Sequence, residues 1–428
     1  MPQILDLHIH SKYSRACSKN LELENIAHTC EIKGVDVIAT GDFTHPQWFS
    51  DINNKLIEEN GLYKLKNYNS KVRFILSTEL ALIYKQGGKT RRIHLVVMAP
   101  NIKAVARFQK YLSDHGFNIK SDGRPILGMS AIMLCKILFD IDERFMVIPA
   151  HIWTPWFAVF GSKSGFDSMF ECFGEFTKYI YAYETGLSSD PEMNWRVSEL
   201  DDFTILSNSD AHSLPNIARE ANVFEMSEIS YDAIYDIIKN NSINQRAKGI
   251  KSQYGEVLYT IEFYPEEGMY HYDGHRDCGV RFNPAETKRH KGICPKCHKK
   301  LTVGVSYRVD ELADRPIGTK PSKACEYKKL VELDKIIAES LNIKSRNSQK
   351  VQIEYNNLIK KSGSHELDIL INKNLNDLKD LTLPEVIEGI KRVREKNLII
   401  DPGFDGKYGV IKIFNLMNKR ANRQVPLF

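Results

Sequence analysis

Seven short apolar runs divide the first 230 residues, and most of them end at, or just before, a histidine or an acidic residue. Runs rich in Ile, Val and Leu between turn residues are typical of buried parallel strands, and the segments between them have helical spacing. This alternation predicts an α/β fold. Because potential ligands follow many different strands, we expect a seven-stranded β/α barrel rather than a doubly wound sheet, whose ligands meet at one switch point. The runs are Ile4–His10, Val35–Asp42, Arg73–Glu79, Ile93–Met98, Phe145–His151, Tyr179–Glu184 and Phe203–Asp210.

A pair of histidines in the first run is the earliest sign of a metal site. In Asp6-Leu7-His8-Ile9-His10 both imidazoles lie on the same side, because side chains alternate along a strand. A single pattern of this kind more often means two ordinary surface or core histidines. A similar pattern, Ser209-Asp210-Ala211-His212, follows the last run, and this recurrence favours metal binding.

Further candidate ligands follow the intermediate runs. Asp42 and His45 lie in one short loop, and Glu79 is a carboxylate that can bridge two metals. His94 lies inside an apolar run, where a buried core histidine is the alternative, and His151 ends Val147–His151. Each residue alone is more often structural. Six histidines and three acids at strand ends together predict a metal centre.

These motifs resemble the polymerase and histidinol phosphatase (PHP) family of metal-dependent phosphoesterases. The resemblance implies a distorted seven-stranded β/α barrel with two or three divalent metals. Zn²⁺, Mn²⁺ and Mg²⁺ are the candidates. It implies one metal held by His8, His10, Glu79 and Asp210, and a second held by Glu79, His94 and His151.

A third metal of the family depends on positions that differ in this chain. Phe43 stands where the family has the histidine of Thr-Asp-His, and Ser11–Lys19 contains no acid or histidine. Asp42, His45 and His212 are therefore the candidate ligands for it. The predicted chemistry is attack on phosphorus by a metal-bound water, with His10, Glu79, Asp210 and His212 as the catalytic residues.

A second metal site is predicted near residue 285. His275-Arg276-Asp277-Cys278, fifteen residues and Cys294-Pro295-Lys296-Cys297 form two ligand pairs with zinc-ribbon spacing. We predict one structural Zn²⁺ held by His275, Cys278, Cys294 and Cys297. His271, His290 and His298 are alternatives for the imidazole ligand. A thioredoxin-like function of Cys294 and Cys297 is weaker, because no βαβ pattern surrounds them and Cys278 would stay unexplained.

The predicted organisation has four parts. Residues 1–230 form the barrel, 231–264 connect and close it, 265–320 form the zinc module, and 321–428 form a mostly helical region. The first 220 residues carry 24 Lys and Arg against 26 Asp and Glu, which leaves 35 and 28 of the totals of 59 and 54. A basic second half suits a polyanionic partner, although a solvated lysine-rich surface has the same composition.

The whole chain is similar to the endonuclease Q branch of the PHP family, which joins such a barrel to a zinc module. The resemblance implies cleavage of DNA on the 5′ side of uracil, hypoxanthine or xanthine, or at abasic sites. Trp153, Trp156 and Phe157 are candidates for stacking on a displaced base, with internal packing as the alternative. Glu184, Asn194 and Arg196 are candidates for base or phosphate contacts. The motifs are Asp6–Ser11, Gly41–Pro46, Ala150–Phe157, Tyr183–Asp190, Ser207–His212, 271–316 and Pro402–Gly406.

Two other functions remain open at this point. A PHP phosphatase acting on a small phosphomonoester would need neither the zinc module nor the C-terminal region. A non-catalytic nucleic-acid-binding scaffold would explain Phe43 but not the ligands that are present. We expect no membrane segment, no signal peptide and a cytoplasmic location, in agreement with the scattered cysteines. The preferred lesion and a clamp partner are not readable from the sequence.

Overall fold

The computed structural model describes residues 2–415, and each of the seven predicted runs overlaps a β-strand. The α/β class is therefore confirmed. Several runs are longer than their strands, because they continue into the loop that carries the ligand, whereas Ile93–Met98 lies within a longer strand. The strands are β1 (Pro2–Asp6), β2 (Val37–Ala39), β3 (Leu56–Glu59), β4 (Leu62–Leu65), β5 (Arg73–Ile75), β6 (Ser77–Gln86), β7 (Lys89–Met98), β8 (Ile126–Leu127), β9 (Met146–Pro149), β10 (Ala182–Glu184), β11 (Thr204–Leu206), β12 (Ala221–Met226), β13 (Gly255–Glu262), β14 (Asp273–His275), β15 (Val280–Phe282), β16 (Glu326–Lys329), β17 (Ile399–Asp401) and β18 (Val410–Lys412).

The helices pack their apolar sides on these strands. In the helix Ile102–Asp114 the side chain of Asn101 accepts a hydrogen bond from Ala104 N, and Val105, Phe108 and Leu112 are buried. The helices are α1 (Leu23–Lys33), α2 (Pro46–Lys55), α3 (Ile102–Asp114), α4 (Ala131–Ile141), α5 (Met169–Phe173), α6 (Pro191–Asn194), α7 (Tyr231–Lys239), α8 (Ile243–Ala247), α9 (Pro284–Arg289), α10 (Val305–Leu312), α11 (Leu333–Ser340), α12 (Gln349–Ser362), α13 (Glu366–Ile371), α14 (Leu375–Leu378) and α15 (Pro384–Arg394). Short 3₁₀ helices span Gly174–Tyr179, Ser198–Asp202, Leu214–Asn216, Pro265–Glu267 and Arg276–Cys278.

Three sheets build the N-terminal half. An eight-stranded sheet has the order β16-β13-β12-β1-β2-β5-β4-β3, a four-stranded sheet has the order β8-β6-β7-β9, and β10 pairs with β11. Backbone hydrogen bonds join their edges: Asp210 N donates to His8 O at 2.9 Å, and Ile152 N donates to Glu184 O at 3.1 Å. The ligand-bearing loops consequently meet at one end of the strands. Closure as a seven-stranded barrel stays a prediction.

The parallel arrangement expected for these strands is wrong at β7. This strand pairs antiparallel with both β6 and β9. The cause is a tight hairpin between β6 and β7, in which Gly87 and Gly88 both have positive φ angles of 59° and 73°. Two such residues form the turn that a two-residue hairpin prefers. His94 therefore lies within a strand that runs opposite to its neighbours, and not at a strand end.

The cysteine-rich segment has its own small core. Strands β14 and β15 form an antiparallel hairpin, and Val280, Cys294 and Leu301 are buried together beside it. Helix α10 joins this module to the barrel, because the Arg308 guanidinium donates to Phe160 O at 3.1 Å and to Phe166 O at 2.9 Å. This arrangement agrees with a separate zinc-type module after the barrel.

The C-terminal region is mostly helical, as expected, with additional strands. Strand β16 joins the large sheet by pairing parallel with β13, and β17 pairs with β18. A buried ion pair between Lys33 Nζ and Glu366 Oε2, 3.2 Å apart, connects α1 to α13. The four-part division stays a prediction, and its residues Met1 and 416–428 lie outside the described residues. Among residues 2–415, no helix is long and apolar enough to cross a bilayer.

Candidate metal centre

Four side chains from three distant parts of the chain form the first candidate ligand set. His8 and His10 follow β1, Glu79 lies in β6 and Asp210 follows β11. One ligand atom from each lies within 4.8 Å of all the others. His10 Nε2 is 3.0 Å from Asp210 Oδ1 and 3.4 Å from Glu79 Oε2. The two histidines and Glu79 are buried, so this set lies at the bottom of the site.

Glu79 also belongs to a second candidate set with His94 and His151. Its Oε1 is 2.8 Å from His94 Nδ1 and 3.1 Å from His151 Nε2. The two imidazoles are themselves 3.2 Å apart. A carboxylate shared by two sets can bridge two ions, which is the geometry of two-metal hydrolytic sites. The structure thus brings together the two sets that the PHP resemblance implies.

The histidines are oriented by partners on their other ring nitrogens. His8 Nδ1 is 3.0 Å from Glu184 Oε2, His10 Nδ1 is 3.1 Å from Asp42 Oδ1, and the corresponding atom of His151 is 3.0 Å from Thr154 Oγ1. Carboxylates and hydroxyls in these positions fix the ring orientation of metal-binding histidines. Each ring then turns Nε2 towards the shared carboxylates.

One buried atom tests whether cations fit this site. His8 Nε2 has no hydrogen-bond partner, although it lies 3.8 Å from Glu79 Oε1 and 3.7 Å from Asp210 Oδ1. A buried polar atom without a partner is costly. An ion held between this nitrogen and the two carboxylates would satisfy all three groups. The donor set, imidazole nitrogens and carboxylate oxygens, suits Zn²⁺ or Mn²⁺.

The backbone at several of these residues is strained. Asp42, His151 and Asp210 have φ angles of 48°, 30° and 46°, in the left-handed region that side chains other than glycine rarely adopt. Such conformations persist where the surrounding structure fixes them, and they are concentrated at functional sites. The turns that follow the strands therefore position these ligands at a cost in local stability.

The charges of the site stabilise one another. Although burial opposes ionisation, His94 and Arg124 hold the pKa of Glu79 well below its ordinary value. Burial alone would lower the pKa of His8, but Glu184 raises it to about 9. At His94 the effect of burial exceeds that of the adjacent Glu79 carboxylate, and the pKa of this imidazole is lowered to about 4. The carboxylate of Glu79 is thus held ionised within a network of alternating charges.

The residues expected to bind a third metal have other partners. The Asp42 carboxylate accepts hydrogen bonds from Ser11 N, Ser11 Oγ and Ser14 Oγ at 2.7, 2.7 and 2.9 Å, besides its contact with His10. His45 Nε2 donates to Lys120 O at 3.1 Å, and its ring stacks on Tyr13. Neither residue, nor His212, belongs to the two converging sets. Asp42 thus orients the His10 ring, and its expected place among the ligands of a third metal stays a prediction.

His212 lies at the rim of the site. Its ring centroid is 4.6 Å from that of His10, and its side chain is 30% exposed. Its Nδ1 is 2.8 Å from the carbonyl oxygen of Asp210, which can only accept, so this nitrogen carries the hydrogen. Burial lowers the pKa of His212. Its Nε2 is therefore the basic nitrogen and is available for proton transfer.

The residues predicted to contact a base occupy different environments. Trp153 is fully buried, and its indole N–H donates to Asn194 Oδ1 at 2.7 Å, so these two side chains pack the loop internally. Glu184 is buried against His8, and Arg196 pairs with Asp310. These four residues are thus engaged within the protein, and their contact with a substrate stays a prediction.

The exposed aromatic surface comes from the end of the same loop. Trp156 is 37% exposed and meets Tyr270 edge to face, with ring centroids 5.2 Å apart. These rings line a cavity of about 260 Å³ together with His271 and other residues of the segments 154–156 and 265–271. The ring of Phe157 lies 4.6 Å from that of His94 and covers the second ligand set. Trp156 is therefore the predicted aromatic residue that is best placed to meet a ligand.

Two features of the site were missed in the sequence. Arg124 Nη1 donates to Glu79 Oε2 at 2.9 Å. Asn208 Nδ2 donates to Glu184 Oε1 at 2.8 Å. Arg124 lies in the polar segment Ser121-Asp122-Gly123-Arg124-Pro125, which has the composition of an ordinary turn. Asn208 lies in the Ser207–His212 motif, two residues before the ligand Asp210, and this position was the available signal for it.

The zinc module assembles its predicted ligands. One atom each of His275, Cys278, Cys294 and Cys297 lies within 4.8 Å of the others. Both nitrogens of the His275 ring are 3.9 Å from Cys297 Sγ. His271, an alternative for the imidazole ligand, instead has its Nε2 3.1 Å from Ser306 Oγ. Three thiols and one imidazole suit a closed tetrahedral zinc site.

Sequence comparisons relate the chain to two uncharacterized proteins. The MJ0043 C-terminal domain family matches residues 332–397. Protein MJ0043 of Methanocaldococcus jannaschii is 33% identical over 275 residues, which are 63% of this chain and 33% of that protein. The chain thus spans about a third of that relative. Protein YqxK of Bacillus subtilis is 27% identical over 424 residues, which are 95% of this chain and 98% of YqxK.

Solved structures show where the whole architecture recurs. The lesion-specific endonuclease PfuEndoQ of Pyrococcus furiosus superposes with a TM-score of 0.82 and 28% identity, over 98% of this chain and 99% of that one. Endonuclease Q in complex with a 27-mer duplex substrate, which carries an abasic lesion at the active site, has a TM-score of 0.81 and 29% identity over 97% of both chains. These matches confirm the resemblance that the motifs indicated.

Proposed function

We propose that this chain, which is similar to endonuclease Q along its whole described length, is a metal-dependent DNA-repair endonuclease acting on damaged DNA. The structural match to the complex with an abasic duplex carries this conclusion. It covers the barrel, the zinc module and the C-terminal region together. A shared fold alone would not indicate a reaction, but here the ligand sets of a metal-dependent phosphoesterase accompany it.

The finer reaction is hydrolysis of the phosphodiester bond 5′ to a deaminated base or an abasic site. His8, His10, Glu79 and Asp210 would hold one divalent ion, and Glu79, His94 and His151 a second. Bound there, the ions would acidify a water molecule and neutralise charge on the phosphoryl group. Zn²⁺, Mn²⁺ and Mg²⁺ are the candidates for the barrel, and Zn²⁺ is proposed for the cysteine module.

Protein side chains would handle the protons of this reaction. His212 exposes a basic Nε2 at the rim, because its Nδ1 is bound to the carbonyl of Asp210. It would take up a proton from the attacking water and return one to the leaving 3′ oxygen. Asp210 is held ionised, since His10 and His8 lower its pKa against the effect of burial. The carboxylate is consequently ready to bind a cation at neutral pH.

A base taken out of the DNA stack would need an aromatic surface near this centre. The cavity lined by Trp156 and Tyr270 includes Thr154 and Pro155, which belong to the loop that carries His151. Stacking on aromatic rings tolerates different bases, which fits an enzyme that accepts several lesions.

A nicking assay tests the proposed reaction. Labelled duplexes with one abasic site, deoxyuridine or deoxyinosine would be incubated with the protein and Mn²⁺, Mg²⁺ or Zn²⁺, beside an undamaged duplex. We expect one nick 5′ of the lesion and none in the Asp210→Ala variant. The Asp277→Ala variant, which loses an acid of the module outside its ligand set, should retain the activity.

Other outcomes would favour the alternatives. Absence of nicking together with release of phosphate from small phosphomonoesters would indicate a phosphatase. Lesion-independent DNA binding with about one zinc per chain and no hydrolysis would indicate a non-catalytic scaffold. A cytoplasmic location and a clamp partner remain predictions, which cell fractionation and pull-down with a purified clamp would test.

A further inference from the structure

Arg124 places a positive charge inside the metal centre. Its Nη1 donates to Glu79 Oε2 at 2.9 Å. The Arg124 side chain is 25% exposed whereas that of Glu79 is fully buried, so the guanidinium lies between the carboxylate and solvent. An arginine side chain stays protonated in proteins at every physiological pH. The guanidinium is therefore a fixed cation at the mouth of the site.

The segment that carries Arg124 is held in place at several points. Gly123 N donates to Tyr13 O at 3.1 Å, and Gly123 O accepts from Thr44 Oγ1 at 3.4 Å. Pro125 O accepts from Ala81 N at 3.1 Å, immediately before β8 pairs with β6. The guanidinium is thus presented by a fixed backbone, as preorganised electrostatic groups in active sites are.

Residues expected to bind a third metal support this segment instead. A Cβ atom at Gly123 would lie 2.3 Å from Asp42 Oδ2 and 2.4 Å from Ser14 Oγ. The backbone of Gly123 therefore packs directly against the Asp42 carboxylate. His45 donates to Lys120 O at the start of the same segment. The space beside the Asp42 carboxylate is therefore filled by protein.

We propose that Arg124 contacts the phosphate of the substrate and provides the positive charge that a third metal would otherwise provide. The identity of that phosphate as a DNA phosphodiester rests on the proposed function. Glu79 is shared by both ligand sets, and a coordinated carboxylate is a weaker acceptor for the guanidinium. Several N–H groups of Arg124 then become available to a phosphoryl oxygen, for which the planar guanidinium is well suited.

Four variants test this assignment: Arg124→Gln, Arg124→Lys, Arg124→Ala and, as a control, Arg144→Gln. Arg144 also pairs with a carboxylate, Asp232, but it precedes β9 at the end of the strand opposite to His151. For each protein we would measure the metal content per chain, the unfolding midpoint, the affinity of the metal-loaded protein for inorganic phosphate, and the kinetics of lesion cleavage.

A phosphate contact predicts that Arg124→Gln keeps its barrel metals and its unfolding midpoint. Its phosphate affinity should fall, and kcat/KM should decrease about 100-fold, the scale of losing one charged group that stabilises a transition state. Arg124→Lys should be affected less, because the charge remains while the fork geometry is lost. Added guanidinium should restore part of the activity of Arg124→Ala.

Three results would overturn the proposal. The first is unchanged phosphate affinity and kinetics in Arg124→Gln. The second is loss of barrel metals in that variant, since Arg124 would then act only by positioning Glu79. The third is a wild-type protein with three barrel metals per chain. If the wild type cleaves no DNA but binds phosphate in an Arg124-dependent manner, the proposed function fails and the contact stands.

Discussion

The barrel centre and the zinc module assemble their candidate metal ligands in opposite ways. The barrel collects its ligands from residues 8 to 210, buries most of them, and strains the backbone at His151 and Asp210. The module takes its ligands from 23 consecutive residues, most of them partly exposed, with thiols in three of four positions. The barrel set contains carboxylates, and the module set contains none.

From this difference we expect a site for chemistry in the barrel and a site for structure in the module. Carboxylates and imidazoles leave coordination positions that water or substrate can occupy, whereas four sulfur and nitrogen ligands close a tetrahedral zinc site. The barrel fold exists independently of its ions, because a large hydrophobic core supports the strands. Within the described part of the chain, the buried core of the module consists of Val280, Cys294 and Leu301 alone, so we expect its fold to depend on a bound metal.

The largest expected effect follows from removal of the carboxylate that both barrel sets share. In Glu79→Gln the amide is a poor metal ligand, so we expect loss of both barrel ions and a decrease in kcat/KM of at least about 10³-fold. The zinc of the module should remain. Elemental analysis and nicking kinetics would measure both effects. Glu175→Gln, at an exposed glutamate, is the control. Loss of the module metal as well as the barrel metals in Glu79→Gln would contradict the independence of the two sites.

The reverse experiment removes the module metal. In Cys294→Ala we expect loss of one zinc per chain and of amide protection over residues 273–301, since the binding energy of a structural zinc stabilises its fold. The barrel should keep its ions. Hydrogen exchange with elemental analysis would measure this. His290→Ala should retain the zinc, and its loss there would indicate that His290 is a ligand instead of His275.

The sequence predicted those parts of the site that depend on local patterns. The two converging sets consist of residues that follow apolar runs, and the module ligands lie in two short motifs. These signals are strong because a strand end fixes where the next few side chains lie. For the same reason the α/β class and the helical C-terminal region were predictable.

Features that depend on contacts between distant segments were not predictable. Asp42 orients His10 because Ser11 and Ser14 occupy its other oxygen, and Gly123 packs on it from a segment 81 residues away. Similarly, Trp153 and Trp156 are equivalent in the sequence, but a single hydrogen bond to Asn194 fixes the first in the core. The antiparallel β7 followed from a turn rather than from the apolar pattern of the strand.

A moderate effect is expected where the two regions meet. Trp156 comes from the barrel loop and Tyr270 from the approach to the module, and their rings are in contact. If a displaced base stacks there, Trp156→Ala should weaken binding of lesion DNA about 10-fold, since stacking contributes roughly 1–3 kcal/mol per base. Binding of undamaged duplex should change little. Phe170→Ala, at an exposed aromatic residue on α5, is the control for fluorescence-anisotropy titrations, and equal losses for both DNAs would contradict a base contact.

The smallest expected effect concerns charge behind the barrel centre. Glu262 and Glu220 are both buried, and Glu262 accepts hydrogen bonds from Thr185 and Thr260. Burial, together with neighbouring carboxylates, raises the pKa of both acids. The folded protein therefore binds more protons than the unfolded chain at pH values above the ordinary glutamate pKa. This contribution to stability is complete below that value and is lost as the pH rises through the raised pKa of the folded state.

Replacement of Glu262 by glutamine should remove part of this pH dependence. A single proton taken up on folding gives a slope of about 1.4 kcal/mol per pH unit in the free energy of unfolding. In Glu262→Gln the free energy of unfolding should decline less between pH 5 and 8 than in the wild type. The variant should therefore become more stable relative to the wild type as the pH rises. Urea unfolding at several pH values would measure it, with the exposed Glu326→Gln as the control. Because the module ligand set contains no carboxylate, loss of its zinc in Cys294→Ala should leave this slope unchanged. A change of slope in that variant would mean that the two regions unfold as one unit, and their independence would then be confined to metal binding.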